Sequence, residues 1–439
     1  MKNSKNTKVK NKNDMLNIIS LILPIICLSI INNIFVMMAI FIIQIFTIMC
    51  NIKKYKINFK AKEKNILIIL ILFFLTSVII DLIGNYFYST IKTTILIFLS
   101  IFLIFFTIST DKNKIKNVNK SFEYIVFFTL FLVIYSIILR KFGSLPSIYQ
   151  AKDGLLYYRQ YINLFGIKLY QNICGDIKIK YAVASLTGNP NTLSSLIDVS
   201  VAFMFLDFIM KGKEKNFPKK FMDFLMITIL LYGAYIAHSR MGILILALLI
   251  PLCIIIKLTI DNFIKKQAFY FLLFISMISV ILIIVIKPDL INKVDLNGRE
   301  IMWNVAKSEI NENVLKLNGL GSSGLVIKDI TGKSISMHNA YLAFIIDYGI
   351  LLFIIFLCYL IFKLIINMNY IINPKSKEKT LYAKLLIIFI CLLLNGFSEG
   401  TFMTYSMYNY MFFICLFSMS LLKGVKGEND DNNFYPNIQ

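Results

Sequence analysis

The chain has 439 residues, of which 58% are hydrophobic, with a mean hydropathy of +0.72 and a formal net charge of +22. Soluble domains are about 45–50% apolar even with glycine counted, so a soluble globular protein is excluded. The charge does not imply a nucleic-acid partner: the lysines stand between long apolar runs, as cytoplasmic loops of a polytopic membrane protein do.

A basic tail over residues 1–14 precedes twelve predicted spans. They lie at about 15–31, 34–50, 66–83, 91–109, 121–139, 192–210, 221–237, 241–257, 268–286, 339–362, 381–397 and 402–422. Each has roughly the length a bilayer core requires. The first two are separated only by Asn32 and Asn33 and read as a tight hairpin; merging them would put the termini on opposite sides. The first span follows a lysine-rich start, but no small-residue cleavage site follows it, so it reads as retained rather than as a signal peptide.

The lysines order these spans. Lys2, Lys5, Lys8, Lys10 and Lys12 precede the first span, and Lys53, Lys54, Lys56, Lys60, Lys62 and Lys64 follow the second. Lys112, Lys114, Lys116 and Lys120 follow the fourth, and Lys211, Lys213, Lys215, Lys219 and Lys220 the sixth. The short connections between these are nearly bare, so the positive-inside rule puts both termini in the cytoplasm. The expected fold is an all-α polytopic membrane protein. Its transmembrane domain covers residues 15–423, with two long extracytoplasmic loops at about 140–191 and 287–338. The polar end, 424–439, reads as a disordered cytoplasmic tail. No CxxC pair occurs, which argues against a cysteine metal site.

Of 46 basic residues only four are arginine: Arg140, Arg159, Arg240 and Arg299. All four fall on the outer side of this topology, with both histidines, His238 and His338, and the single tryptophan, Trp303. A topology signal needs only charge, whereas arginine's planar fork grips phosphate or carboxylate at two points. An anion bound at the outer face is therefore expected, with chance and loop salt bridges as the plain alternative. Arg240 stands in the tight link His238-Ser239-Arg240-Met241-Gly242 between two spans, where a charge faces a cavity or partner, or snorkels to the interface. Arg299 opens an amphipathic stretch in which Ile301, Val305 and Ala306 share a helical face, so that the helix can lie on the bilayer with Trp303 at the headgroups.

Gly319-Leu320-Gly321-Ser322-Ser323-Gly324 matches GxGxxG literally, but no strand precedes it and no βαβ unit has room, so a nucleotide fold is rejected. A flexible turn permitting close backbone approach is the plain reading, and a phosphate nest the other. His338 begins a span, where the helix dipole disfavours its positive form and suits a base; it can equally cap the helix or anchor at the interface. Asp347 lies about 13 Å further along that span. An acid there needs a partner, an arginine or a polar cavity, and is read as structural. Asp81, Asp198 and Glu399 are weaker candidates.

At these residues the chain resembles the O-antigen ligase and polymerase family. The resemblance rests on Gly298-Arg299 with Trp303 and Ala306, the glycine-rich turn, His338-Asn339-Ala340-Tyr341-Leu342, and Asp347-Tyr348-Gly349. Ser239-Arg240-Met241-Gly242 resembles a Ser-Arg-Gly signature with methionine inserted, and Gly188-Asn189-Pro190-Asn191 resembles a further family segment. The match runs over about residues 188–350, and the first half agrees only in hydropathy. The resemblance implies a GT-C-type glycosyltransferase that needs no metal or other cofactor. It would move a glycan from undecaprenyl diphosphate, at the outer leaflet, to an acceptor hydroxyl. Arg240 and Arg299 would hold the diphosphate and His338 would act on the acceptor. Arg159, Tyr158, Trp303 and Asn339 are the expected contacts to acceptor sugars.

The implied partners are the lipid-linked donor, the growing glycan or another hydroxyl acceptor, membrane lipid and other polysaccharide-assembly proteins; nucleic acid is not among them. The two long loops resemble those of the polymerases, and the first is rich in aromatic and basic residues: Tyr149, Tyr157, Tyr158, Arg159, Tyr161 and Tyr170. Polymerases often carry arginine-x10-glycine in both loops, and none of the four arginines here has glycine eleven residues on, which keeps a ligase open. A lipid-linked glycan flippase fits the span count equally, though transporters tend to show repeats and midplane polar sites.

Overall fold

The computed structural model describes residues 2–31, 34–55, 59–152, 155–164, 166–174, 182–211, 216–261, 299–312, 315–332, 337–372, 379–400, 403–404 and 406–421. The side chains of 2–13 and of some element ends, Arg299 among them, lie outside that description. In chain order the first helices are α1 (Lys2–Ile30), α2 (Ile34–Tyr55), α3 (Ala61–Ile83), α4 (Phe87–Thr110) and α5 (Lys114–Phe142). Strands β1 (Ser147–Lys152), β2 (Leu155–Leu164), β3 (Ile167–Cys174) and β4 (Ala182–Ser185) follow. Next come α6 (Pro190–Lys211), α7 (Phe217–Ala237) and α8 (Arg240–Ile260), then α9 (Arg299–Glu312) and α10 (Ser323–Thr331). The last are α11 (Ala340–Ile372), α12 (Lys379–Asn395) and α13 (Met407–Leu421).

Eight of these helices, α2 to α8 and α11, are long and apolar enough to cross a membrane, so the chain is a multi-pass membrane protein. Residues 14–30 of α1 and the whole of α13 are shorter apolar helices, and the predicted span at 381–397 is found as α12. The predicted span at 268–286 and the tail at 424–439 lie outside the described residues. The first two predicted spans are separate helices packed as a hairpin. Asn51 Nδ2 donates to Asn17 Oδ1 at 2.7 Å and Gln44 Nε2 to the Ser20 carbonyl at 3.2 Å, a pairing that runs antiparallel.

The bundle is built around α6, α12 and α13, whose apolar residues are buried nearly all round, as a helix enclosed by other helices must be. Helices α2, α3 and α7 instead leave rows of large apolar side chains exposed, among them Ile42, Phe46, Ile68, Leu72, Phe221 and Phe224. In a bilayer those rows meet lipid at no desolvation cost. At the lysine-rich end, Lys114 pairs with Glu63 at 3.3 Å and Lys116 with Asp14 at 3.4 Å. Lys384, buried over the Phe203 ring at 4.1 Å, pairs with Asp207.

The opposite end departs from the expected all-α fold. Where a loop was expected, strands β1 to β4 form an antiparallel sheet of order β1-β2-β3-β4. Alternation explains it: Tyr158, Gln160, Gln171 and Ile173 face inward and are buried, while Arg159 and Tyr170 face out. Tyr135 Oη, on α5, donates to the Tyr170 carbonyl at 2.7 Å and ties the sheet to the bundle. At the same end of the bundle α9, α10 and the start of α11 enclose a second apolar cluster of Met302, Val305, Ala306, Val326, Ile327, Met337 and Ile346. Trp303 packs against this cluster, so α9 buries its apolar face on neighbouring helices instead of lying on lipid.

The predicted span at 339–362 is not one straight helix. At Gly349 the backbone takes φ 76°, ψ 164°, which breaks α11 after Tyr348. A broken helix leaves its last carbonyls without intrahelical partners. Asn318 and Gly319 supply them: their N–H groups donate to the Asp347 carbonyl at 3.3 and 3.0 Å, and Asn318 Nδ2 donates to the Ile346 carbonyl at 3.0 Å.

Candidate functional site

The site forms where the starts of α6, α8 and α11 and the end of α12 meet, at the end of the bundle opposite the lysine pairs. Asn189 closes a local turn, its Oδ1 accepting from the Asn191 N–H at 2.8 Å. Pro190 then opens α6 with a φ already suited to the helix. This leaves the Asn191 side chain at the helix mouth, where its Nδ2 donates to Glu399 Oε1 at 2.7 Å. Glu399 is held in the turn after α12, its own N–H bonded to the Asn395 carbonyl at 2.9 Å.

His338 reaches the same carboxylate from another direction. It takes φ 47°, a left-handed conformation that histidine adopts more readily than most residues. The next residue is the cap: Asn339 Oδ1 accepts from the Tyr341 and Leu342 N–H groups, both at 3.0 Å. The Ala340 N–H donates to the Gly396 carbonyl at 2.7 Å, which clamps the start of α11 to the turn carrying Glu399. His338 Nδ1 thereby stands 3.5 Å from Glu399 Oε2, with the histidine side chain 29% exposed and the glutamate 10%. A carboxylate on the Nδ1 side favours the Nδ1–H tautomer and leaves Nε2 as the proton acceptor. The contact is longer than a full hydrogen bond, and such contacts tighten when substrate arrives.

Arg240 opens α8 at the same end of the bundle. His238 ends α7 in the left-handed region at φ 49°, and Ser239 caps α8, its Oγ accepting from the Gly242 N–H at 3.3 Å. Gly242 lets α8 cross α6 without a gap, because a Cβ there would stand 1.8 Å from Ser194 Oγ. Arg240 and Asn191 are two and three residues outward of that crossing, about 3 and 4.5 Å along their helix axes. Both helices therefore begin at the same end of the bundle, and the Arg240 side chain is exposed. Arg299 opens α9, whose Met302 lies in the same apolar cluster as Met337, the residue before His338.

The remaining predicted site residues are placed differently. Tyr158 is 2% exposed and packs inward, so it offers no surface to a sugar. Asn339 spends its carbonyl oxygen on capping α11. Trp303 is half-buried, and its indole N–H has no hydrogen-bond partner among the described residues. Arg159 is exposed on the outer face of the sheet, over the Tyr170 ring at 5.8 Å and 3.4 Å from Asn172 Oδ1.

The glycine-rich turn is not an anion nest, because the protein's own carboxylates take its donors. Asp347 Oδ2 accepts from the Gly321 N–H at 2.8 Å, and Oδ1 accepts from the Ser323 N–H at 2.8 Å and Ser322 Oγ at 3.0 Å. Asp81 Oδ1 accepts from the Leu320 N–H at 3.0 Å. The partners of Asp347 are thus backbone N–H groups and a hydroxyl, so of the two surroundings expected, an arginine or polar groups, it has the second. Tyr86, in the α3–α4 turn, donates to Asp329 on α10 at 2.6 Å. Burial and that carboxylate push its phenol up to about 12. Among the described residues no group of three or more His, Cys, Asp or Glu side chains can hold a metal.

Sequence reading ranked Glu399 low and saw Asn191 only as part of a family-like segment. Their shared signal was position: each is a polar residue next to a helix end on the side that carries the arginines. No protein-family model matches the chain, and no curated protein or solved structure matches it.

Proposed function

We propose that this protein is a membrane glycosyltransferase of the O-antigen ligase and polymerase kind, with a GT-C-like fold, and that it joins undecaprenyl-diphosphate-linked repeat units into a surface polysaccharide. The observation that carries this reading is the Asn191–Glu399–His338 chain at the rim that also bears Arg240. His338 Nε2 accepts the proton of an acceptor hydroxyl, and Glu399 steadies the imidazolium that forms. The hydroxyl oxygen bonds to the anomeric carbon of the donor. The bond from that carbon to the diphosphate breaks, and its electron pair leaves with the diphosphate. Arg240, with Arg299 from the start of α9, meets the growing negative charge, where fixed donors lower the barrier. The rim is the outer face, the cell membrane holds the protein with both termini inside, and no metal or other cofactor takes part.

A ligase is the second reading, favoured by the missing arginine-x10-glycine pattern. A flippase is favoured by the break in α11, since transporters use interrupted helices. Against the flippase, the freed carbonyls of that break are capped by the chain's own turn. The deciding experiment gives purified protein in detergent the cell's own lipid-diphosphate repeat and no other acceptor, with products run on a gel. A ladder of lengthening chains is the expected result. Unchanged donor from folded protein that binds it removes the polymerase.

A further inference from the structure

The sheet that replaces the expected loop does not rise away from the membrane. Three contacts with α5 fix its height. On β2 the Tyr161 carbonyl accepts at 2.7 Å from the N–H of Ser144, just past the end of the helix. On β3 the Tyr170 carbonyl accepts from Tyr135 Oη at 2.7 Å. On β4 Ser185 Oγ donates to the Leu132 carbonyl at 2.9 Å. Tyr135 and Leu132 both lie inside the span predicted at 121–139, so the sheet steps down along α5 strand by strand, about 4.8 Å at a time. Tyr135 also belongs to the flank of α5 that meets lipid. Its ring lies 6.0 Å from that of Phe131, and Phe131, Ile134 and Ile138 are exposed.

The β2–β3 hairpin leaves the bundle at this height. Its register sets Gln160 opposite Gln171 and Ile162 opposite Leu169 on one face, and Ile167, two residues before Leu169, shares that face. The glutamines are buried and bonded to each other at 2.6 Å, and Gln160 packs on Gly143 at the end of α5. Nearer the tip the same face turns apolar and opens: Leu169 is 36% exposed and Ile167 66%. A loop tip standing in water is ordinarily small and polar. The opposite face carries Arg159, Tyr161, Lys168 and Tyr170, with Lys168 Nζ over the Tyr161 ring at 5.3 Å. Tyrosine rings and long cationic side chains are what the headgroup layer of a membrane selects.

We propose that the tip of the β2–β3 hairpin is inserted in the lipid leaflet at this end of the bundle, with Ile167 and Leu169 among the upper acyl chains and Lys168 at the headgroup phosphates. The apolar tip continues the lipid-facing flank of α5 sideways, and the face with Arg159 and the tyrosines looks out from the headgroups. This surface is independent of the transfer reading.

The test uses the full chain in vesicles of phosphatidylcholine and phosphatidylglycerol. Trp303→Phe removes the single tryptophan, and Ile167→Trp or Asn163→Trp then puts a reporter on one face of the tip or the other. Ile167→Trp should emit at shorter wavelength and resist acrylamide in the water. Lipid brominated near the headgroup end of its acyl chain should quench it most, since an interfacial element sits about 5–10 Å into that boundary. Asn163→Trp should be quenched by acrylamide and far less by bromine. Where Trp303→Phe does not fold, the readings are taken on the wild-type background with its own emission subtracted. Two reporters equally open to acrylamide overturn the proposal, because the hairpin then stands in water. So does an Ile167→Trp reporter shielded from acrylamide but untouched by bromine, because protein then covers it. Shielding that begins only when the lipid-diphosphate repeat is added also overturns it, because the face is then a sugar surface.

Discussion

Two clusters at the same end of the molecule each turn on a carboxylate, and they are finished differently. Around Asp347 both oxygens accept from the turn at 321–323, and the residue's own carbonyl accepts from Asn318 and Gly319. Around Glu399 one oxygen is held by Asn191, while the other stands 3.5 Å from a part-exposed histidine. A closed set of hydrogen bonds rigidifies and specifies a fold, and has nothing left to offer a substrate. The Glu399 set ends instead on a part-exposed histidine, which a substrate can reach. The comparison also disposes of the glycine-rich turn as a ligand site, since its N–H groups already have partners.

The sharpest way to break this comparison is His338→Ala. It should cut transfer by about 10²–10⁴-fold with the unfolding temperature unchanged, read as initial rate beside a melting curve. Glu399→Gln should cost less and lower kcat with KM unchanged, as expected of a group that acts through the histidine. Equal melting loss in both variants would make this cluster structural too.

The converse should hold at Asp347. Asp347→Ala strands two backbone N–H groups and a hydroxyl, and should lose about 3–5 kcal/mol in reversible unfolding, with Asp347→Asn recovering part of it.

Asp111, in the turn between α4 and α5 at the lysine-rich end, is a control far from both clusters. Burial pushes its carboxyl up to about 6, although Asn117 Nδ2 and the Asn113 N–H donate to it at 2.9 and 2.8 Å. A carboxylate whose folded value lies above its unfolded value binds its proton more tightly when folded, so stability is lost as pH rises between about 4 and 6. Wild type should lose about 3 kcal/mol over that window relative to Asp111→Asn, measured by denaturant unfolding at each pH.

The smallest effect tests how tightly the glycine turn is packed. Gly319 has φ +95°, and an added Cβ would lie 2.6 Å from Asp81 Oδ1. Gly319→Ala should lose about 2 kcal/mol. Gly332→Ala, at φ +70° with nothing within 4 Å, should lose only about 1 kcal/mol.

Much of the helical frame was legible in the sequence. Hydropathy located every described apolar helix, because a span must be apolar along its whole length and that property is local, but not every end: α5 begins seven residues before its predicted start and α11 runs ten past its predicted end. The lysine pattern likewise separated one end of the bundle from the other. The sheet at 147–185 went unread although its cues were present: the Asp153-Gly154 dipeptide, and a run of Tyr, Ile and Leu alternating with polar residues. The topology rule had already assigned that stretch to a loop.

The candidate site was only half legible. His338 and Arg240 stand out by composition, each a rare residue in a chain that otherwise uses lysine. Glu399 and Asn191 carry no such mark, being 208 residues apart and joined only through space. Trp303 and Tyr158 drew notice as surface aromatics and proved to be packed side chains, because burial depends on what folds against a residue. The sequence by itself determined a polytopic bundle, its helix positions and the uneven distribution of lysine and arginine, since each follows from local hydropathy and charge. The tertiary structure alone decided which carboxylates are closed off by backbone donors and which one stands beside a histidine, because a hydrogen bond depends on distance and direction in space.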